Sequence, residues 1–391
     1  MGVVKKINFP YVLKPYNSNL LPEQRLVIFF GTNFLGDALP RDWNEKLFIE
    51  RTNQMLDYIR RHFPGRRLLY QPHPNETTEH QLFNLHGFVV GEKVIAELFL
   101  YENAERIEYT FSACSGASIS AYAMGLNTAI FLDTLLGALP ANSIIGYRSY
   151  FAGLPDSFFI KSFNVPVPIL PAPSKTQERN NLKTICDSLL SAKKIWVLAI
   201  DPSLAFRGAL FLKMLRQRSP GLQTGLIVIN HRRWSLVKNN KIIEEAFDEV
   251  VKLPFRRVWY SARLNKLWQA IRSAWALQKL PLADGDTVVS FSYMEFEENC
   301  ILSYYPKVRK ILFIENRWYH FVYGFGYKKL PASEFSTSWG VSFFNYFLEP
   351  LLGLYQTIFR ESKDKISNIF RYKKSLDLIY NDVFVLMPWK H

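Results

Sequence analysis

Cysteine is scarce in this sequence of 391 residues, and several common catalytic motifs are missing from it. The three cysteines, Cys114, Cys186 and Cys300, are too widely spaced for a disulfide framework or a zinc module. Such sparing use of cysteine is typical of proteins in a reducing cytoplasm. The sequence has no G-x-G-x-x-G or G-x-S-x-G motif and no P-loop. These absences argue against a dinucleotide oxidoreductase, a serine hydrolase and a nucleoside triphosphatase.

Basic residues outnumber acidic residues, and the first residues lack the pattern of a secretory signal. Lys5 and Lys6 are not followed by an apolar stretch of signal-peptide length, so we expect a cytoplasmic protein. The chain has 48 Lys and Arg against 34 Asp and Glu, a net charge of +14, which predicts an anionic partner. The basic residues form scattered doublets such as Arg232-Arg233, and no nucleic-acid-binding motif collects them. Nucleic acid is therefore not the expected partner.

The alternation of apolar runs predicts an α/β protein with two Rossmann-like domains facing a central cleft. In both halves short buried strands alternate with segments of helical spacing, the pattern of a parallel sheet with crossover helices. A proline-rich stretch interrupts this pattern in the middle of the chain. We predict a first domain over residues 1–162, a linker over 163–192, a second domain over 193–336 and a helical tail over 337–391.

The tail contains an apolar segment, residues 339–359, that is long enough to span a bilayer. Glu349-Pro350 at its centre argues against a spanning helix, because a carboxylate in the bilayer core is costly. We expect a buried helix, with a helix lying in the membrane interface as the alternative. The basic residues behind it, from Arg360 to Lys374, suit anionic lipid headgroups and favour peripheral contact with the inner face of the cytoplasmic membrane. The alternative is a solvated basic face.

One loop holds a histidine between two prolines, in Tyr70-Gln71-Pro72-His73-Pro74-Asn75-Glu76. It follows a predicted buried strand, and the prolines restrict the backbone on both sides of the imidazole. A rigidly held imidazole is suited to donate a hydrogen bond to a phosphate as its charge develops. The alternative is a histidine that only packs the turn.

A second loop of small and hydroxyl-bearing residues stands between another predicted strand and its helix. Small residues let the backbone approach a ligand, and the helix N-terminus offers free N–H groups to an anion. The alternative for Ser118 is a simple helix N-cap. With the histidine loop it predicts a phosphate cradle at neighbouring strand ends. The candidate residues of this loop are Ser112, Ser115, Gly116 and Ser118.

Both loops resemble those of bacterial GT-B glycosyltransferases that use CMP-activated acidic sugars. YQPHPNE is similar to the His-Pro motif of their sialyltransferases and Kdo transferases, and SACSGASISAYAMGLNTAIF to the hydroxyl-rich loop, helix and strand that follow it. The resemblance implies a CMP-sugar donor as co-substrate, no metal, and an oligosaccharide or glycolipid acceptor. It also implies a permuted domain order, since the donor half comes first here. The donor-site residues it implies are His73, Pro74, Ser112, Ser115, Gly116 and Ser118.

Several carboxylates are candidates for the catalytic acid–base or nucleophile. RKILFIENRWYHFVYGFGY is similar to the acceptor-side strand and loop of inverting sialyltransferases, which implies Glu315 as the general base. Asp201, Glu295 and Glu297 are further candidates for that base. In a retaining scheme Asp37 would be the nucleophile, by resemblance to β-Kdo transferases. The alternative for each is a surface or capping carboxylate, and Asp201 could cap the helix that follows it.

We therefore predict a glycosyltransferase that moves an acidic sugar, of sialic-acid type, from its CMP-activated form to a bacterial surface glycan. A retaining β-Kdo transferase is one alternative. A GT-B enzyme with another donor, or a polyol-phosphate transferase, is a second. The third is a non-catalytic basic protein that binds a glycan or nucleic acid.

Overall fold

The computed structural model describes the chain in segments that fall into two compact units, each built around its own parallel sheet. We call them the five-stranded domain and the seven-stranded domain. The structure describes residues 3–7, 16–32, 43–151, 154–169, 185–186, 189–199, 201–230, 234, 240–256, 272, 275–291, 301, 304–315 and 381–386.

Strands and helices alternate through most of the described chain. The strands are β1 Val3–Ile7, β2 Leu26–Phe30, β3 Arg67–Gln71, β4 Phe88–Val90, β5 Ile107–Ser112, β6 Thr128–Ile130, β7 Lys194–Ala199, β8 Gln223–Asn230, β9 Glu249–Arg256, β10 Thr287–Ser290, β11 Arg309–Glu315 and β12 Asp382–Leu386. The helices are α1 Glu45–His62, α2 Ala96–Asn103, α3 Gly116–Ala123, α4 Ala141–Tyr150, α5 Pro202–Arg218 and α6 Lys241–Glu244.

The sheet of the five-stranded domain runs β4-β3-β2-β5-β6, with every pair parallel. The chain builds outward from β2 in one direction, to β3 and β4, and then returns to add β5 and β6 on the other side. This is the doubly wound arrangement, in which the strand order reverses between β2 and β5. Ligands of such sheets bind beyond the carboxyl ends of the strands at that point of reversal.

Both faces of this sheet are covered, which explains why β2 is apolar throughout its length. Leu26, Ile28 and Phe30 belong to one core cluster together with α3 residues, among them Ala121. On β5, Phe111 contacts Tyr58 of α1 edge-on, with ring centroids 6.3 Å apart. A parallel strand covered on both faces carries apolar residues at every position instead of alternating with polar ones.

The seven-stranded sheet runs β9-β8-β7-β10-β11-β12-β1, and its described pairs are also parallel. The first six strands follow the same doubly wound order, with the reversal between β7 and β10. The prediction of two Rossmann-like α/β domains is therefore confirmed.

The strand pairing differs from the predicted domain boundaries at both ends of the chain. β1, which we assigned to the first domain, pairs with β12, and β12 lies in the tail that we predicted as helical. The five-stranded domain is thus inserted between β1 and β7 of the seven-stranded one. A pairing across almost the whole chain leaves no local signal, and two of the five residues of β1 are lysines.

No helix in the described part of the chain is long and apolar enough to cross a membrane. The apolar segment 339–359 and the basic residues that follow it up to Lys374 lie outside the described residues. Their predicted contact with a membrane stays a prediction.

Candidate functional site

The two predicted loops follow strands that flank β2, the strand at which the five-stranded sheet reverses its order. Phe30, the last residue of β2, pairs with Gln71 of β3 on one side and with Ser112 of β5 on the other. The three strands therefore end level with one another. We expected the loops on neighbouring strands, whereas β2 lies between them, a separation of about 10 Å at the usual strand spacing.

The histidine loop is a tight turn in which the His73 side chain takes part. The Glu76 N–H donates to the His73 carbonyl oxygen at 2.8 Å, which closes a four-residue β-turn with Pro74 at its second position. The Asn75 N–H donates to His73 Nδ1 at 3.2 Å. Because Nδ1 accepts, the neutral ring carries its proton on Nε2. His73 itself is half-buried.

A buried carboxylate, Glu76, holds this turn against the end of the sheet. The side chain is 1% exposed. Its Oε2 accepts from the His73 N–H at 3.0 Å, and its Oε1 accepts from the Tyr70 hydroxyl at 3.1 Å. His80 Nδ1 lies 3.2 Å from Oε1, an ion-pair distance without hydrogen-bond geometry. Glu76 thus connects β3, the turn and the short helix that follows.

Burial dominates the electrostatics of this carboxylate. It raises the pKa of Glu76 above the ordinary carboxyl value, although the hydrogen bonds from the His73 N–H and the Tyr70 hydroxyl and the neighbouring His80 act the other way. Burial, and then the charge of Glu76, raises the pKa of Tyr70 as well. The Tyr70 hydroxyl therefore stays protonated and acts as a donor to Glu76.

Gly31, directly after β2, makes room for Glu76. A Cβ at this position would lie 2.5 Å from Glu76 Oε2 and 2.7 Å from the Tyr70 hydroxyl. The Gly31 N–H donates to the Gln71 carbonyl oxygen at 2.8 Å, which continues the β2–β3 ladder by one residue. We did not single out Gly31 or Glu76 from the sequence. The signal available for Glu76 was an acid three residues after a histidine that precedes proline.

The hydroxyl loop leads into α3, and its N-cap is Ser115. Ser115 Oγ accepts from the Ala117 N–H at 3.2 Å, so the alternative of Ser118 as the N-cap is wrong. Ser118 lies one turn further in, where its hydroxyl contacts the Ser112 hydroxyl at 2.8 Å. Ser112 Oγ also accepts from the Ser115 N–H at 3.1 Å.

These contacts divide the loop into a supporting and a presenting part. Ser112 and Ser118 are fully buried, and their hydroxyls fix the shape of the loop from beneath. Ser115 and Gly116 are half-buried and stand at the N-terminus of α3. The presenting part therefore combines a neutral cap with the positive end of a helix dipole, which suits an anion.

Of the five candidate carboxylates, Asp201 is the one whose side chain lies within the described residues. Asp201 is the N-cap of α5: its Oδ1 accepts from the Ser203 and Leu204 N–H groups at 2.8 and 3.3 Å. The capping alternative for Asp201 is thereby confirmed. Glu315 ends β11, where its backbone pairs with Leu386, and its side chain lies outside the described part. The remaining candidates lie outside the described residues as well: Asp37, Glu295 and Glu297.

Metal-ligating side chains do not cluster in the described part of the chain. No group of three or more His, Cys, Asp or Glu residues there could hold a metal ion. Because Asp37 and the acids around Glu295 are outside that part, the expectation of catalysis without a metal stays a prediction.

Comparison with known proteins identifies no family. No protein-family model and no curated protein matches the chain. Among solved structures, the chain is similar to the wall teichoic acid polymerase TagF. The match has 12% identity over 75% of this chain and 70% of that one, with a TM-score of 0.16. A TM-score this low does not establish a shared fold.

Proposed function

We propose that the protein is a glycosyltransferase whose five-stranded domain binds the phosphate of a nucleotide-activated sugar. The observation that carries this proposal is the position of the two loops. The hydroxyl loop follows β5, at the reversal between β2 and β5 where doubly wound sheets bind their ligands, and the histidine loop follows β3 on the other side of β2, level with it. Each loop offers a different kind of donor to an anion.

On one side the donor is an imidazole, and on the other it is a helix N-terminus. The tautomer set by the Asn75 N–H leaves the proton of His73 on Nε2, the ring atom suited to donate to a phosphate oxygen. Across β2, Ser115 supplies a hydroxyl at the positive end of the α3 dipole. As the bond between sugar and phosphate breaks, negative charge develops on the phosphate, and both groups stabilise it.

The donor class we propose is a CMP-activated acidic sugar of sialic-acid type, with a bacterial surface glycan as acceptor. The support is the resemblance of the His-Pro and hydroxyl loops to enzymes of that class. The net charge of +14 also suits a donor that carries both a phosphate and a carboxylate. The reaction takes place in the cytoplasm, with the basic tail in contact with the inner membrane face.

The stereochemical course depends on which acid acts. With Glu315 as general base, the acceptor hydroxyl loses its proton to the carboxylate as its oxygen attacks the anomeric carbon, and CMP leaves with inversion. With Asp37 as nucleophile, the carboxylate attacks the anomeric carbon and CMP leaves, which forms a covalent sugar–enzyme ester. The acceptor hydroxyl then displaces Asp37 from the sugar and loses its proton to a base, with net retention. Asp201 is not part of this proposal, because its carboxylate caps α5.

The test is incubation with a panel of CMP-sugars and candidate glycan acceptors, with release of CMP as the readout. We expect release of CMP from CMP-linked acidic sugars and no release of UDP from UDP-hexoses. A panel with no release, together with no binding of any nucleotide, would contradict the proposal. Comparison of Glu315→Ala with Asp37→Ala then separates the two courses, and a covalent sugar adduct in the intact mass would decide for Asp37.

A further inference from the structure

Glu76 has no part in the proposed chemistry, yet its buried carboxylate has three polar neighbours near the strand ends. It accepts from the Tyr70 hydroxyl and from the His73 N–H, and it lies beside His80. The backbone of Glu76 is also held, because its carbonyl oxygen accepts from Lys93 Nζ. Burial of a carboxylate is costly unless it is hydrogen-bonded or paired, and these contacts offset that cost.

We propose that Glu76 is a positioning residue that sets both the place and the tautomer of the His73 imidazole. The carboxylate anchors the His73 N–H at the first position of the turn, while the Glu76 N–H closes the turn on the His73 carbonyl oxygen. The closed turn aims the Asn75 N–H at His73 Nδ1. Nδ1 is thereby kept as an acceptor and Nε2 as the donor.

A carboxylate suits this position because the Tyr70 hydroxyl and the His73 N–H both donate to it, one to each oxygen. Glutamine has nearly the same shape, but it offers one acceptor oxygen in place of two. Glu76→Gln should therefore release one side of the turn without leaving a large cavity.

The chain offers a matched control in the same loop. Glu79 accepts from the Thr77 N–H and hydroxyl, so Glu79→Gln removes the same charge three residues further on. An internal reference exists as well: His62 Nδ1 lies 2.9 Å from the Tyr58 carbonyl oxygen and must donate to it. When both imidazole rings are neutral, His62 and His73 should therefore be opposite tautomers.

The experiment is a long-range ¹H–¹⁵N correlation spectrum of the protein labelled at histidine, recorded at mildly alkaline pH, with His73→Ala for assignment. We expect the Nε2–H tautomer for His73 and the Nδ1–H tautomer for His62. Glu76→Gln should shift His73 to a mixture of tautomers and leave His62 unchanged. Glu79→Gln should change neither. An unaltered His73 in folded Glu76→Gln would overturn the proposal.

Turnover of the CMP-sugar is the second readout, and it rests on the proposed function. Misplacement of a catalytic group by about 1 Å costs up to roughly 100-fold in rate, so we expect kcat of Glu76→Gln to fall about 10- to 100-fold with KM less affected. If no variant turns over a CMP-sugar, the proposed function fails while the tautomer test still decides on Glu76. If Glu76→Gln does not fold, Tyr70→Phe removes one donor to the same carboxylate and should shift His73 in the same direction, and an unaltered His73 there would overturn the proposal.

Discussion

The two sheets reverse their strand order in the same way, but a helix beside each reversal has a different N-cap residue. In the five-stranded domain α3 is capped by the neutral, half-buried hydroxyl of Ser115. In the seven-stranded domain α5 is capped by the carboxylate of Asp201, which accepts from the first N–H groups of that helix. A carboxylate at a helix N-terminus occupies the place that a phosphate would take and repels it. The two helices follow strands on opposite sides of the reversal, β5 for α3 and β7 for α5, and we expect the helix with the neutral cap to be the better anion site.

Close approach at a glycine also serves different ends in the two domains. Gly31 lets the Glu76 carboxylate reach the end of β2 in the five-stranded domain. In β8 of the seven-stranded domain, a Cβ at Gly225 would lie 2.3 Å from the ring of Trp196, a fully buried side chain. The first glycine supports the candidate site, and the second supports the core.

The largest expected effect comes from His73→Ala, which removes the imidazole donor of the five-stranded domain. Loss of one positioned donor to a developing charge costs about 10²- to 10³-fold in kcat, so turnover of the CMP-sugar should fall by that factor. Steady-state kinetics and a thermal unfolding curve measure the effect. The matched control is His86→Ala, an exposed histidine elsewhere in the same domain, which should keep wild-type turnover. Wild-type turnover in folded His73→Ala would remove His73 from the site.

An exchange of the two caps tests the comparison directly. Ser115→Asp and Asp201→Ser should both keep their helices, because Ser and Asp are similarly good N-caps. Only Ser115→Asp should weaken CMP binding, roughly ten-fold or more, since a like charge within 4 Å costs about 1 to 4 kcal/mol. Isothermal titration with CMP measures the affinity. Equal affinity in Ser115→Asp and wild type would show that α3 does not bind the phosphate.

Alanine at the two glycines should separate stability from function. Gly31→Ala and Gly225→Ala each force an overpacked contact, and each should lower the free energy of unfolding by about 1–3 kcal/mol. Only Gly31→Ala should also lower turnover, because it displaces Glu76. Gly221→Ala is the control: a Cβ there meets no atom within 4 Å, so its effect should stay within about 0.5 kcal/mol. Equal turnover in both glycine variants would contradict the assignment.

The smallest effect is on the pH dependence of stability. Burial raises the pKa of Glu76 above 4.5, so the folded state binds more protons than the unfolded state between the two pKa values. The free energy of unfolding should therefore fall as pH rises through that window, and Glu76→Gln should lack this fall. Hydrogen bonds to the carboxylate outweigh burial at Glu79 and lower its pKa, so Glu79→Gln should instead remove a rise of stability with pH. Urea unfolding at a series of pH values measures both slopes, and equal slopes for the two variants would contradict the assignment.

Local features of the structure could be predicted from the sequence, and contacts between distant segments could not. Apolar residues recur at helical spacing over residues 45–63, and α1 spans Glu45–His62, with Asn44 as its N-cap. The rigid His-Pro turn could also be predicted, because the two prolines restrict the backbone of the loop that contains them. The pairing of β1 with β12 joins the two ends of the chain. Glu76 was missed because its place depends on Gly31, which follows β2, lying next to the turn that follows β3.

The measurement that tests the central claim most directly is thermal unfolding in the presence of CMP, UDP or ADP. We expect CMP to raise the unfolding temperature of wild type and of His86→Ala, and to do so much less for His73→Ala. UDP and ADP should have little effect on any of the three. Equal stabilisation of wild type and His73→Ala by CMP, or no stabilisation of wild type by any of the nucleotides, would contradict a donor site between the two loops of the five-stranded domain.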